Sequence, residues 1–161
     1  MVSKVDITPS SGIRLRKEGT LNLNQLYKDM KAWFAEKDYI FFEKEAGKKE
    51  KETGFKVLIK WEVERNIDEY AQFKIKVEIF GQDLQEIKKE DIKLHSGNFE
   101  IRFWADVNLD YTNTWERKPF GKFLFGRHTN VMMKSKIQSV YETKLDDELQ
   151  DLIAIAKEYF E

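Results

Sequence analysis

Three successive segments in the middle of the chain alternate between apolar and polar residues, and this pattern constrains the fold more than any other feature of the sequence. Alternation at every second position is the period of a β-strand with one buried and one solvated face. Three such strands in a row are typical of an antiparallel meander. The apolar positions are Phe55, Val57, Ile59, Trp61 and Val63, then Phe73, Ile75, Val77 and Ile79, then Phe99, Ile101, Phe103, Ala105, Val107, Leu109 and Tyr111.

Two amphipathic segments flank the meander and predict the helices that cover its apolar face. The first follows Asn22, which precedes Gln25 by three positions as in a capping box, and ends near Asp38. The second runs from about Asn130 to the C-terminus. Its apolar face is predicted to comprise Ile137, Val140, Tyr141, Leu145, Leu149, Leu152, Ile153, Ala156 and Tyr159 or Phe160.

The resulting prediction is a single α+β domain over residues 1–161. Its antiparallel β-meander sheet is packed by an N-terminal helix and a long C-terminal amphipathic helix. With 161 residues the chain is long enough to bury a substantial core.

The remaining stretches have shorter and less regular sequence patterns. Residues 5–15 suggest a small hairpin or an edge strand around a turn. Residues 39–44 suggest a strand with aromatic side chains on both faces, covered on both, and residues 45–54 a solvated loop between strands. Residues 92–94 suggest a short strand that turns back through residues 96–98.

Charge is balanced overall but unevenly distributed. The chain carries 28 basic and 29 acidic residues, and the near-neutral total argues against nucleic acid as a partner. Residues 112–136 nevertheless contain six basic residues and one acid, whereas residues 142–161 contain two lysines and seven acids. Opposite patches of this kind predict head-to-tail association between copies, and the alternative is that both are ordinary solvated helix faces.

The candidate contact residues belong to these two patches. On the basic side, aromatic and basic residues interleave over residues 115–127. This segment could stack nucleic-acid bases, insert into an anionic membrane surface, or simply plug one end of the sheet. The candidates are Trp115, Arg117, Lys118, Phe120, Lys122, Phe123 and Arg127 on the basic side, and Asp146, Asp147, Glu148 and Asp151 on the acidic side.

Signatures of catalysis, metal binding and cofactor binding are missing from the sequence. The chain has no cysteine, its two histidines lie in unlike contexts, and its glycines form no phosphate-binding loop. We therefore expect no enzyme activity, no cofactor and no metal. Polar residues of the last meander strand are predicted to form its solvated face: Glu100, Arg102, Asp106, Asn108 and Asp110.

Targeting signals are likewise not evident. No apolar run has the length of a signal peptide or of a transmembrane helix. The expectation is a cytoplasmic protein, or one of another soluble compartment.

Two resemblances extend these expectations. An antiparallel sheet that grips a long C-terminal helix resembles the helix-grip architecture of lipid-carrier and polyketide-cyclase-like domains, although no motif is shared and the helix order differs. This resemblance implies an apolar small ligand between sheet and helix, lined by Phe73, Ile75, Phe103, Val140 and Tyr141.

The second resemblance concerns residues 113–124. They read NTWERKPFGKFL and resemble a segment of small uncharacterised archaeal proteins. The resemblance extends from the first helix to the C-terminus, and that family brings no function to transfer.

The sequence thus favours a non-enzymatic structural or interaction subunit that acts through protein contacts and assembles with itself. The alternative is a helix-grip-like carrier of an apolar ligand. A third reading is a binder of anionic surfaces, either nucleic acid or membrane.

Overall fold

A computed structural model describes residues 3–109 and 128–160, with the side chains of the last helix described from Gln138 onward. Strands and helices follow one another in an α+β order. They are β1 (Ser3–Asp6), β2 (Ile13–Leu21), α1 (Leu23–Glu36), β3 (Ile40–Lys51), β4 (Gly54–Asn66), β5 (Ala71–Lys89), β6 (Ile92–Leu109) and α2 (His128–Phe160).

The six strands form one antiparallel sheet, and its centre is the predicted meander. Strands β3, β4, β5 and β6 pair in chain order, each with the next. Strands β1 and β2 both pair with β6, at successive stretches of its other side. Residues 5–15 therefore form edge strands rather than a hairpin with one another, and β3 ends the sheet on the opposite side.

Both helices pack on the same face of the sheet. The alternating residues of β4, β5 and β6 point toward the helices, and the opposite parity forms an outer face that no described helix covers. The core comprises Leu26, Met30, Trp33 and Phe34 of α1, Leu145, Leu149, Leu152, Ile153 and Ala156 of α2, and the sheet residues Trp61, Val63, Phe73, Ile75, Val77, Ile79, Ile101, Phe103, Val107 and Leu109.

Helix α1 begins where the sequence predicts. The side chain of Asn22 accepts a hydrogen bond from the backbone N–H of Gln25 at 3.1 Å, which satisfies one of the free donors of the first turn. The side-chain amide of Gln25 donates to Asp29 instead of returning to the cap, so the capping box is only half formed.

Helix α2 has the predicted extent, but Val140 does not belong to its buried face. Val140 is 67% exposed, while Leu145 and Leu149 are fully buried. A separation of five residues turns the helix by about 500°, so Val140 lies roughly 140° away from Leu145 around the axis. The prediction for this position is wrong for that geometric reason.

Two regions predicted as loops or short strands are long strands. Residues 45–54 belong to β3, to the first residue of β4 and to the tight turn between them. In β6, the chain runs without a turn through Gly97, and the hairpin closes earlier, at Glu90 and Asp91, both with positive φ. Gly97 instead lies beside a register shift of β5, where a Cβ atom would come within 2.7 Å of Leu84.

Strand β3 also differs from its prediction in burial. We expected cover on both faces, but Ile40 and Phe42 are 53% and 42% exposed. Because the helices occupy one face only, alternate residues of an edge strand remain open to solvent.

Candidate functional site

The acidic residues predicted on the C-terminal helix divide into two groups. Asp146, Asp147 and Asp151 are exposed on α2. Glu148 is not, because its carboxylate points into the protein. The basic candidates at positions 115–127 lie outside the described residues.

Glu148 forms a bidentate ion pair with Arg65 of β4. Nη1 and Nη2 of the guanidinium lie 2.8 and 3.0 Å from the two carboxylate oxygens, and both side chains are less than one-fifth exposed. The hydroxyl of Tyr39 donates to the same carboxylate at 3.2 Å, and burial, followed by the charge of Glu148, raises the pKa of that hydroxyl. Arg65 also donates to the carbonyl of Lys37 at 2.7 Å. This network fastens α2 to the sheet and to the end of α1.

The outer face of the sheet carries an ordered pattern of opposite charges. Glu62 lies between Lys44 and Lys76, at 3.9 and 3.7 Å. Lys60 lies between Glu45 and Glu78, at 3.8 and 3.7 Å. Exposed pairs of this kind contribute little stability each. They make the outer face of β3, β4 and β5 a charged, solvated surface on which the side chains have defined positions.

The free edge of β3 is the longest open backbone edge that the described residues present. Among those residues, the strand pairs only with β4, so the backbone groups that point away from β4 lack a strand partner. All its side chains except Phe41 are exposed. Edges of this type readily accept a further strand.

The charges on this edge are arranged about Gly47. Glu45 precedes the glycine by two residues, and Lys49 follows it by two; Lys44 precedes it by three, and Glu50 follows it by three. The strand therefore has opposite charges at equal distances on the two sides of Gly47. Nothing lies within 4 Å of the position that a Cβ at Gly47 would occupy, so the centre of this pattern is sterically open.

The C-terminal end of β3 is locally positive. The ammonium groups of Lys56 and then Lys49 lower the pKa of Lys51, because like charges at short range disfavour protonation. A carboxylate brought to this end of the strand would relieve that repulsion.

A second candidate site lies on the outer face of the sheet, where the N-terminal segment runs alongside β6. A cleft of about 360 Å³ is lined by Asp106 and its neighbours. Asp106 was predicted on a solvated face; it does point outward, but it is only 6% exposed. The reason is that the chain after β1 continues along β6: the N–H of Ile7 donates to the Ala105 carbonyl, and Thr8 Oγ1 accepts from the Ala105 N–H.

The expected lining of an apolar-ligand cavity is packed in a different way. Phe73, Ile75 and Phe103 are fully buried in the core between sheet and helices, and Val140 is exposed. The hydroxyl of Tyr141 donates to Asp68.

Two further findings hold for the described residues alone. Among the side chains of residues 3–109 and 138–160, no three histidine or acidic groups lie together so that they could hold a metal ion. Neither described helix is long and apolar enough to cross a membrane.

Comparison of the chain with protein-family models, with curated proteins and with solved structures finds no match. The described residues form an α+β domain with a six-stranded antiparallel sheet, and among them one sheet face and the long edge of β3 are uncovered. The helix-grip ligand and the archaeal resemblance stay predictions.

The sequence analysis predicted neither the charge order about Gly47 nor the burial of Asp106. The charge symmetry about Gly47 was readable in the sequence, but it has meaning only once residues 45–51 are known to form an edge strand. The burial of Asp106 had no sequence signal, since it depends on where the chain after β1 lies.

Proposed function

We propose that the protein is a non-enzymatic structural subunit that acts through protein contacts and self-associates by pairing strand β3 with β3 of a second copy. The observation that carries this proposal is the charge order of the free edge about Gly47. Two antiparallel copies related by a two-fold axis at Gly47 set Glu45 of each copy against Lys49 of the other.

Backbone pairing would supply the main attraction, and the charges would select the register. Joining two edges satisfies a row of backbone donors and acceptors and merges two six-stranded sheets into one. Opposite charges directly across an antiparallel pair contribute about 0.2–1 kcal/mol each, and the two-fold axis doubles every pair. A register shifted by two residues in one direction would set Glu45 against Gly47 and lose this pair. A shift in the other direction would set Glu45 against Lys51, but it would also place Lys48 of one copy against Lys48 of the other, and like charges directly across a pair are destabilising.

The competing interpretation is that the charges protect the edge from other strands. Lysines and a bulge are common devices for this purpose, and β3 has a register shift between Glu43 and Glu45. Protection by charge works best when the edge carries one sign, because two copies then repel each other. The edge of β3 carries both signs in a self-complementary order, which favours pairing.

The test is the solution mass measured by light scattering after gel filtration. We expect wild type to have twice the 19.2 kDa chain mass at low salt and to dissociate in part at high salt. Lys49→Glu opposes two acids across the axis and should give a monomer. Adding Glu45→Lys restores opposite charges in the swapped order and should restore the dimer.

A matched control is Lys56→Glu. Lys56 is the neighbour of Lys49 on the interior strand β4, so this variant makes the same charge change one strand away from the edge. It should leave the dimer intact. A wild-type monomer at all concentrations, or equal weakening by Lys49→Glu and Lys56→Glu, would contradict the proposal.

A further inference from the structure

The cleft beside Asp106 is an open groove bounded by three strands. Its floor is β6, one wall is β1 with the chain that follows it, and the other wall is β5. Trp104 is fixed at one end, because its indole N–H donates to the carbonyl of Ser10 at 3.1 Å. The remaining lining residues are Lys4, Asp6, Thr8, Pro9, Lys76, Glu78 and Ala105.

Almost every charge in the cleft already has a partner within the protein. Lys4 lies 3.5 Å from Asp6, Lys76 pairs with Glu62 at 3.7 Å, and Glu78 pairs with Lys60 at 3.7 Å. Asp106 differs because it forms no ion pair with a described residue, although Lys4, Lys74 and Lys76 lie near enough to stabilise its charge. Its Oδ1 is buried and accepts no hydrogen bond from any described group. A buried carboxylate without a partner costs free energy, which a protein retains where the group serves a purpose.

We infer that this cleft binds a small organic cation, a primary ammonium group on an apolar body, with the ammonium on the Asp106 carboxylate and the body against the Trp104 indole. An ammonium supplies charged hydrogen-bond donors in direct contact with the carboxylate, which no described group provides to Asp106 Oδ1. An indole is the aromatic ring that attracts a nearby cation most strongly. The volume of about 360 Å³ suits a small molecule rather than a peptide chain.

Protonation of Asp106 links binding to pH. Burial raises the pKa of this carboxyl group; Lys4, Lys74 and Lys76 oppose the change, and Asp6 adds to it. A bound ammonium favours the ionised form. Affinity should therefore rise with pH as Asp106 loses its proton, and level off above its pKa.

The raised pKa of Asp106 also gives a way to check that the Asp106→Asn variant folds. Because the folded-state pKa exceeds the unfolded value of about 3.9, stability is lost as pH rises between the two values and stays lower above them. Asp106→Asn lacks this penalty. The variant should unfold at a higher temperature than wild type at neutral pH, which confirms that it folds.

The experiment is a titration with n-butylammonium chloride, followed through the indole N–H signal of Trp104 in two-dimensional NMR and assigned with Trp104→Phe. We expect a saturable shift with a dissociation constant roughly in the millimolar range, as for other very small ligands. Neutral n-butanol should bind at least tenfold more weakly, because it lacks the charge.

Two variants decide whether Asp106 is responsible. Asp106→Asn should weaken butylammonium binding roughly tenfold or more. Glu100→Gln makes the corresponding change on the same strand outside the cleft, at a carboxylate already paired with Arg16, and it should bind nearly as wild type does. Absence of a saturable shift in wild type, equal binding of butanol, or equal affinity of Asp106→Asn would each overturn the inference.

Discussion

Breaking the ion pair between Arg65 and Glu148 should destabilise the protein far more than breaking any exposed pair. Arg65→Met removes two hydrogen bonds to Glu148 and one to the Lys37 carbonyl, and it leaves a carboxylate that is only 12% exposed with Tyr39 as its remaining donor. Removing one partner of a buried pair costs about 3–5 kcal/mol, and slight exposure places this pair near the lower limit.

The assay is urea and thermal unfolding at one fixed protein concentration, on Arg65→Met, Glu148→Met and the double variant. For a chain of this length, about 3 kcal/mol corresponds to a fall in Tm of roughly 6–12 °C. The double variant should lose less than the sum of the single losses, because neither charge is then left alone. Arg16→Met, which breaks an exposed pair with Glu100, is the control and should cost under about 1 kcal/mol. Equal losses for Arg65→Met and Arg16→Met would refute the reasoning.

Two further predictions concern single positions. His95 is buried against Phe55 and its pKa is lowered, mainly by burial, so stability should fall by up to about 1.4 kcal/mol per pH unit as pH drops below about 6.5. His95→Phe should flatten that slope in urea unfolding at a series of pH values, and an unchanged slope would contradict it. Gly12 has φ +78, and a Cβ there would lie 2.8 Å from Trp104 and 2.9 Å from the Phe103 carbonyl. Gly12→Ala should therefore lower the free energy of unfolding by more than about 1 kcal/mol, and a neutral effect would show that the turn relaxes.

The face of the sheet to which each side chain points was predictable, because it depends only on the alternation of neighbouring residues. Alternation over residues 55–63 and 73–79 identifies which side chains face the helices, and the structure confirms it. Helix α1 was predictable for the same reason, since Asn22 and the apolar spacing act within a few turns.

Features that depend on distant parts of the chain were not predictable. The turn at Glu90 and Asp91 contains no glycine, asparagine or proline, so the stronger signal at residues 96–98 was misleading. Whether β3 is central or terminal depends on the order of all six strands. Burial of Asp106 requires the segment after β1 to continue along β6, which no local pattern reports.

The structure separates the acidic candidates on α2 into a mostly buried one and exposed ones. Glu148 is used within the fold, which leaves Asp146, Asp147 and Asp151 as the exposed members of the four acidic candidates. A head-to-tail contact through them stays a prediction, and it differs in symmetry from the two-fold pairing of β3. The two arrangements are separable, because only the second places identical residues opposite each other.

The most direct test of the central claim uses a single introduced cysteine, since the chain has none of its own. On a two-fold axis at Gly47, the two copies of this residue face each other with Cβ atoms about 4.5–5.5 Å apart, close to the separation that a disulfide needs. Gly47→Cys should form a disulfide-linked dimer quickly under mild oxidation, whereas Lys56→Cys on β4 should not. Equally slow cross-linking of both variants would contradict pairing of β3 about Gly47.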